Sequence, residues 1–228
     1  MYKNTVGLLG GMGSYATLDF FERVLDAFPA EKEWDRPRII IDNKCTMPSR
    51  VRAILFNESV DDLIFELSQS IKMMKEYSEK VYVIIVCNTC HYFLPILEYK
   101  FPEIKFINII DVLAQDLAKK GINSVFLLAS EGTIQSSIYE KYFTPFGISI
   151  NYPKEFETIR YFIECVKQRN IKKDDVKMFE EYISSVNDNT VVLGCTELPI
   201  LAKNVNVTSK NLADPLECAI GRLKQVMR

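Results

Sequence analysis

Short apolar runs alternate with longer amphipathic or charged stretches along most of the chain. The runs lie near residues 5–9, 38–42, 81–86, 105–110, 124–129, 147–151, 190–194 and 205–208. Strands that alternate with helices in this way are typical of an α/β fold with parallel sheets. The run at 81–86 consists of aliphatic residues and one tyrosine, which predicts a strand buried on both faces.

The order of these elements repeats once along the chain. The repeated pairs are TVGLLGGMG (5–13) with SVFLLASEGT (124–133), the strand and cysteine at 81–87 with those at 190–195, and INIIDVLAQDLA (107–118) with TSKNLADPLECAI (208–220). Asp111 and Asp214 are predicted helix N-caps in the last pair. We therefore predict two similar α/β domains, the first formed by 1–110 with 212–228 and the second by 111–211, with the final helix crossing back to the first.

Two cysteines, Cys87 in the first half and Cys195 in the second, each follow an apolar run directly and open a small polar turn. Open α/β sheets bind ligands at the carboxyl ends of their strands, so both thiols are predicted at a ligand site. A single cysteine at a strand end is more often packing, and the matched pair is what favours function. A zinc site at the Cys87–Cys90 CxxC pair is disfavoured because His91 is the only histidine, and we do not assign His91 as a base.

Composition narrows the class of partner. The chain has 228 residues, 48% of them hydrophobic and 25% charged, with a formal net charge of -2. Without a basic stripe, neither nucleic acid nor an anionic membrane is expected as the main partner, and a small molecule fits better. No apolar stretch approaches the roughly 18 residues of a transmembrane helix, and no signal-peptide core is evident, so we expect a cytoplasmic protein with reduced thiols.

Five segments together resemble the aspartate racemases of the aspartate/glutamate racemase family. They are GLLGGMGSYAT (7–17), Pro48–Ser49–Arg50, CNTCH (87–91), LLASEGTIQSSIYEKYF (127–143) and LGCTELPIL (193–201). The resemblance implies two α/β domains related by a pseudo-two-fold axis, with the active site in the cleft between them. It also implies homodimers and racemisation of a small acidic amino acid without pyridoxal phosphate, metal or any other cofactor.

The chemistry of racemisation suits two opposed thiols, because one group removes the α-proton and the other delivers a proton to the opposite face. The resemblance implies these roles for Cys87 and Cys195. It places Arg50 on the substrate's side-chain carboxylate, and Lys167 is matched to a family lysine. The other predicted substrate contacts are Met12, Gly13, Ser14, Asn88, Thr89, Cys90, Thr133, Thr196 and Glu197.

Departures from the family pattern leave the substrate open. Ser14–Tyr15 replaces a Pro-Leu pair, Ser49 replaces an acidic residue, and Glu131 stands where a small or hydroxyl residue is usual. Glutamate therefore remains an alternative substrate, and so does isomerisation of another small dicarboxylate such as maleate. A non-catalytic protein that binds an acidic amino acid is the alternative from a different class.

Overall fold

The computed structural model describes residues 2–227. Its strands are β1 (Thr5–Gly10), β2 (Ile39–Asn43), β3 (Val81–Ile85), β4 (Lys105–Phe106), β5 (Ser124–Leu128), β6 (Ser149–Asn151), β7 (Thr190–Leu193) and β8 (Asn211–Ala213). Its α-helices are α1 (Ser14–Ala27), α2 (Arg50–Phe56), α3 (Val60–Tyr77), α4 (Leu94–Lys100), α5 (Ile109–Lys119), α6 (Glu131–Gln135), α7 (Ile138–Phe143), α8 (Glu157–Lys167), α9 (Lys173–Ser185), α10 (Leu198–Ala202) and α11 (Pro215–Val226). None of the helices within these residues is long and apolar enough to span a membrane.

The strands form two parallel four-stranded sheets with the same internal order. One sheet runs β2-β1-β3-β4 and the other β6-β5-β7-β8. Strand β1 lies between β2 and β3, with Leu8 opposite Ile84, and strand β5 lies in the same way between β6 and β7, with Leu127 opposite Val192. The prediction of two similar α/β halves is therefore confirmed. The strands that precede the two cysteines, β3 and β7, occupy equivalent interior positions.

Burial on both faces of the sheets organises the core into three apolar clusters. Ile84 of β3 and Val192 of β7 belong to one cluster, which joins the two sheets through α1, α5, α7 and α11. Neighbouring residues point the other way: Ile85 packs with α3 and α4, while Leu193 packs with α8, α9 and α10. Side chains alternate along a strand, so consecutive apolar residues are required here to fill both clusters.

The last helix ties the two halves together. Helix α11 packs against both α1 and α5. Arg23 on α1 bonds the Asp214 carboxylate at the start of α11 at 2.8 Å and Glu217 within it at 2.8 Å. Helix α11 thus contacts one helix of each half, α1 and α5. The domain boundaries given above remain a prediction.

Three details of the predicted elements were wrong. The fourth strand of the second sheet is β8 at Asn211–Ala213, in register with Thr190 to Val192, whereas 205–208 is irregular. The run at 105–110 contributes only two strand residues, because Asn108 caps α5 by accepting the backbone N–H groups of Ile110 and Asp111. Asp111 is thus inside the first turn, while Asp214 is the N-cap of α11 as predicted.

Candidate active site

The two predicted catalytic cysteines lie at matching places in the two sheets. Cys87 stands two residues beyond the end of β3, and Cys195 stands two residues beyond the end of β7. Cys87 is buried, and Cys195 is half-buried. Negative charge on Cys87 contributes to raising the pKa of Cys195, so the two sulfurs interact electrostatically. Each half therefore contributes one thiol beyond an interior strand, and the charge of one affects the pKa of the other.

Cys195 is held in its protonated form. Its Sγ donates a hydrogen bond to Oε2 of Glu197 at 3.0 Å, and the hydroxyl of Thr196 donates to the same oxygen at 3.2 Å. Burial, followed by the Glu197 carboxylate, raises the pKa of Cys195 well above its usual value, and Lys167 opposes the shift only in part. The Cys195 proton thus faces a fixed acceptor two residues away along the chain.

The glycine turn after β1 makes room for that acceptor. Gly11 adopts a φ of 82°, in the left-handed region that favours glycine. Gly13 lies so near the second half that a Cβ at this position would come within 2.0 Å of Oε1 of Glu197. Glu197 is almost fully buried, and its Oε1 has no hydrogen-bond partner in the described part of the chain. Glu197, predicted only as a substrate contact, therefore also bonds the second thiol.

Among residues 2–227, no carboxylate is bonded to the thiol of Cys87. The Nδ1 atom of His91 donates to the carbonyl of Cys87 at 2.8 Å, and its Nε2 accepts the backbone N–H of Ile109 at 3.3 Å. Burial lowers the pKa of His91 to about 4, so the ring is neutral and holds the turn from behind. Cys90 is fully buried, and burial, with charge on Cys87, raises its pKa well above the usual value.

Hydroxyl groups join the halves beside Cys87. The Oγ1 of Thr89 lies 2.8 Å from that of Thr133 and 3.0 Å from Oγ of Ser130, and the last two are 2.9 Å apart. Thr89 belongs to the first half, while Ser130 and Thr133 open α6 in the second. Sequence reasoning missed Ser130, although its position as the N-cap of a helix after an apolar strand was a usable signal.

Arg50 is partly committed to the backbone. Its Nη1 donates to the carbonyl of Pro48 at 2.9 Å and its Nη2 to that of Met12 at 3.3 Å, while Nε is buried without a partner. Its positive charge lowers the pKa of Cys90, against the larger effect of burial, so the guanidinium acts on the Cys87 turn. The contribution of Met12 to the site is thus its backbone carbonyl, which accepts from Arg50.

Two of the predicted binding residues lie towards the outside. Ser14 is exposed, and its Oγ accepts from the side-chain amide of Asn43 at 3.0 Å. Lys167, the last residue of α8, is partly exposed; burial lowers its pKa, but the charges of Glu197, Cys195 and Glu164 outweigh this and raise it. A cavity of about 470 Å³ between α2, α6 and α8 borders the site and includes Ser130 and Lys167 in its lining.

Three buried polar atoms at the site lack partners among residues 2–227: Nε of Arg50, Nδ2 of Asn88 and Oε1 of Glu197. Buried polar groups are almost always hydrogen-bonded, so such atoms point to a bound molecule or to water. Two donors and one acceptor match the carboxylates and the ammonium group of an amino acid. Within residues 2–227 no group of three His, Cys, Asp or Glu side chains is arranged to hold a metal ion.

The family profile of Asp/Glu/hydantoin racemases matches residues 9–223 of this chain. The chain belongs to this family. By membership it is an amino-acid racemase, and residues 9–223 include both cysteines, Arg50 and Glu197.

Solved structures and one curated relative are similar to this chain. The racemase is 26% identical to the aspartate racemase of Picrophilus torridus, with a TM-score of 0.78 over 98% of this chain and 94% of the other. It shares the fold of a Francisella tularensis glutamate racemase in complex with D-glutamate, at 19% identity, 98% and 81% coverage and a TM-score of 0.72. The broad specificity amino-acid racemase RacX of Bacillus subtilis is 21% identical over 85% of each chain.

Proposed function

We propose that this racemase interconverts L- and D-aspartate without a cofactor, using Cys87 and Cys195 as the two acid/base groups. The observation that carries the proposal is the matched placement of the two thiols, one beyond the end of β3 and one beyond the end of β7. A planar carbanion bound between them presents one face to each sulfur. One thiolate then takes the α-proton while the opposite thiol delivers its own proton to the other face.

The protonation state of Cys195 assigns its first role. Because burial and Glu197 keep Cys195 protonated, it starts as the acid when Cys87 starts as the base. For the opposite enantiomer Cys195 must become the thiolate. The bonded Oε2 of Glu197 accepts its proton in that case and releases it to solvent, Cys87 takes up a proton from solvent, and the charge of Lys167 favours the thiolate. In either direction one C–H bond breaks and one forms, and the two sulfurs exchange protonation states.

The α-carbanion requires stabilisation by groups fixed before the reaction, because the α-proton of an amino acid is only weakly acidic. Nδ2 of Asn88 is buried, has no partner among the residues that the structure describes, and belongs to the residue next to Cys87. It serves as a donor to the α-carboxylate in this proposal. Oε1 of Glu197 serves as the acceptor for the substrate ammonium group.

Arg50 carries the preference for an acidic side chain. Its Nε is free to donate, and its guanidinium is already fixed by two backbone carbonyls. A prepositioned cation loses little conformational entropy when it binds the second carboxylate. Lys167 adds positive charge at the edge of the same site.

The decisive experiment is racemisation in deuterated water, started separately from each enantiomer of aspartate and of glutamate. With two opposed thiols, newly formed product carries solvent deuterium at Cα, while the remaining substrate stays largely unlabelled early on. Product that keeps the substrate's own α-hydrogen would overturn the two-base mechanism. Ligand-induced thermal stabilisation without any racemisation would indicate a binding protein, and faster turnover of glutamate would reassign the substrate.

A further inference from the structure

Tyr139 reaches the reaction centre from the opposite half of the molecule. It lies on α7, is fully buried in the cluster that joins the sheets, and packs edge-on against Phe143 at a centroid distance of 5.3 Å. Its hydroxyl lies 2.7 Å from Oδ1 of Asn88, the residue that follows Cys87. This separation is typical of an O–H···O bond and short for an N–H···O bond, so the amide oxygen faces the phenol.

The phenol is a permanent donor. Burial, followed by the charges of Asp214, Cys195 and Cys218, raises the pKa of Tyr139 well above its usual value, so it keeps its proton across the working pH range. The contribution of Cys195 also shows that Tyr139 lies within electrostatic range of the second thiol. The Tyr139 hydroxyl thus bonds the residue after Cys87, while the charge of Cys195 affects its pKa.

The orientation of the Asn88 amide has a chemical consequence. With Oδ1 bonded to Tyr139, Nδ2 is left buried and without a partner. A flipped amide would instead present its carbonyl oxygen, which repels a carboxylate. Nothing else bonds the Asn88 side chain among the described residues, so the Tyr139 hydroxyl selects between the two orientations.

We propose that Tyr139 is a positioning residue of the racemase reaction, which fixes the Asn88 amide so that Nδ2 donates to the substrate's α-carboxylate. This inference rests on the proposed function for its substrate and extends it to a residue that touches neither thiol. It also makes the donor at Cys87 dependent on the docking of α7 from the second half.

The test is Tyr139→Phe, which keeps the ring and its contact with Phe143 and removes only the hydroxyl. We expect kcat/KM for aspartate to fall on the order of 10- to 100-fold, because a preorganised donor to developing charge becomes free to flip. Tyr152→Phe is the matched control, since it removes a tyrosine hydroxyl bonded to Glu140, outside the site. It should leave kcat/KM unchanged, and both variants should unfold at similar temperatures.

A double-mutant cycle separates positioning from structure. If Tyr139 acts through Asn88, adding Tyr139→Phe to Asn88→Ala lowers kcat/KM no further. Losses that multiply, or a Tyr139→Phe variant within twofold of the parent, would overturn the proposal.

A second readout does not depend on racemisation. Iodoacetate carries a carboxylate and iodoacetamide does not, so their relative rates at Cys87, followed by mass spectrometry, report on the carboxylate donor. We expect the iodoacetate preference to fall in Tyr139→Phe and to persist in Tyr152→Phe. If the parent protein does not racemise aspartate, the proposed function fails, and this preference alone decides: a fall supports the role of Tyr139, and an unchanged ratio overturns it.

Discussion

The Cys87 turn and the Cys195 turn occupy equivalent positions but differ in every following residue. Asn88, Thr89 and Cys90 follow the first cysteine, whereas Thr196, Glu197 and Leu198 follow the second. In the first turn no carboxylate of the described residues bonds the thiol, and a neutral histidine bonds the backbone carbonyl of Cys87. In the second turn a buried carboxylate takes a hydrogen bond from the thiol itself.

The two turns share the position of the sulfur, which the repeated strand order determines, and differ in the residues around it. The repeated strand order fixes where the sulfurs lie, because both follow an interior parallel strand by two residues. The residues of each turn fix the protonation state. Only the second turn places a buried carboxylate on its thiol, which raises the pKa of Cys195.

Loss of either thiol tests the comparison most severely. We expect Cys87→Ser and Cys195→Ser each to reduce racemisation by about 10³-fold or more, because a serine hydroxyl is too weak an acid to replace a thiolate base. Cys218→Ser is the matched control, since the Cys218 thiol bonds Asp116 rather than any residue of the two turns. Measured turnover near the parent value in either active-site variant would remove that cysteine from the mechanism.

Arg50 tests the role of the first turn in binding the substrate's carboxylate. We expect Arg50→Ala to lower kcat/KM for aspartate by about 10²-fold, and Arg50→Lys to recover only part, because an ammonium group cannot reproduce the planar fork. Arg52→Ala is the control, since Arg52 is exposed and bonds Glu58 at the surface. Equal parent rates on aspartate and alanine would contradict a carboxylate-binding role for Arg50.

The architecture could be predicted from the sequence more completely than the side-chain contacts. The strand order and the equivalent cysteines follow from local apolar runs and their repetition, which are readable residue by residue. The error at 205–208 arose because Val205 and Val207 alternate like a strand, while pairing with β7 selected Asn211–Ala213. The bonds from Tyr139 to Asn88 and from Cys195 to Glu197 depend on docking and side-chain geometry. Neither is encoded in a local pattern.

Glu197 tests the role of the carboxylate that bonds the thiol of the second turn. Its charge raises the pKa of Cys195, so Glu197→Gln should lower that pKa and shift the pH profile of Cys195 alkylation to lower pH. Racemisation should nevertheless fall by about 10-fold, because the proton acceptor is lost. Glu164→Gln is the control, since Glu164 bonds Lys167 rather than the thiol. An unchanged alkylation profile would contradict the assigned contact.

His91 gives the smallest expected effect on activity and a measurable one on stability. It is the only histidine, and the position four residues after Cys195 is Pro199, so the second turn has no counterpart. The pKa of His91 is lowered from 6.5 to about 4, so the unfolded chain binds a proton that the native protein does not. The stabilisation is present above pH 6.5 and is lost as pH falls towards 4, by about 3 kcal/mol in total.

The measurement is the free energy of unfolding between pH 7 and pH 4 for the parent and for His91→Gln. The parent should lose more stability over this range than the variant, because carboxylates contribute equally to both. The ring protons of a single histidine are assigned in the NMR spectrum without further labelling. A native His91 that titrates near 6.5 would contradict the prediction, because it would require the ring behind Cys87 to be open to water rather than holding the first turn in its buried, neutral form.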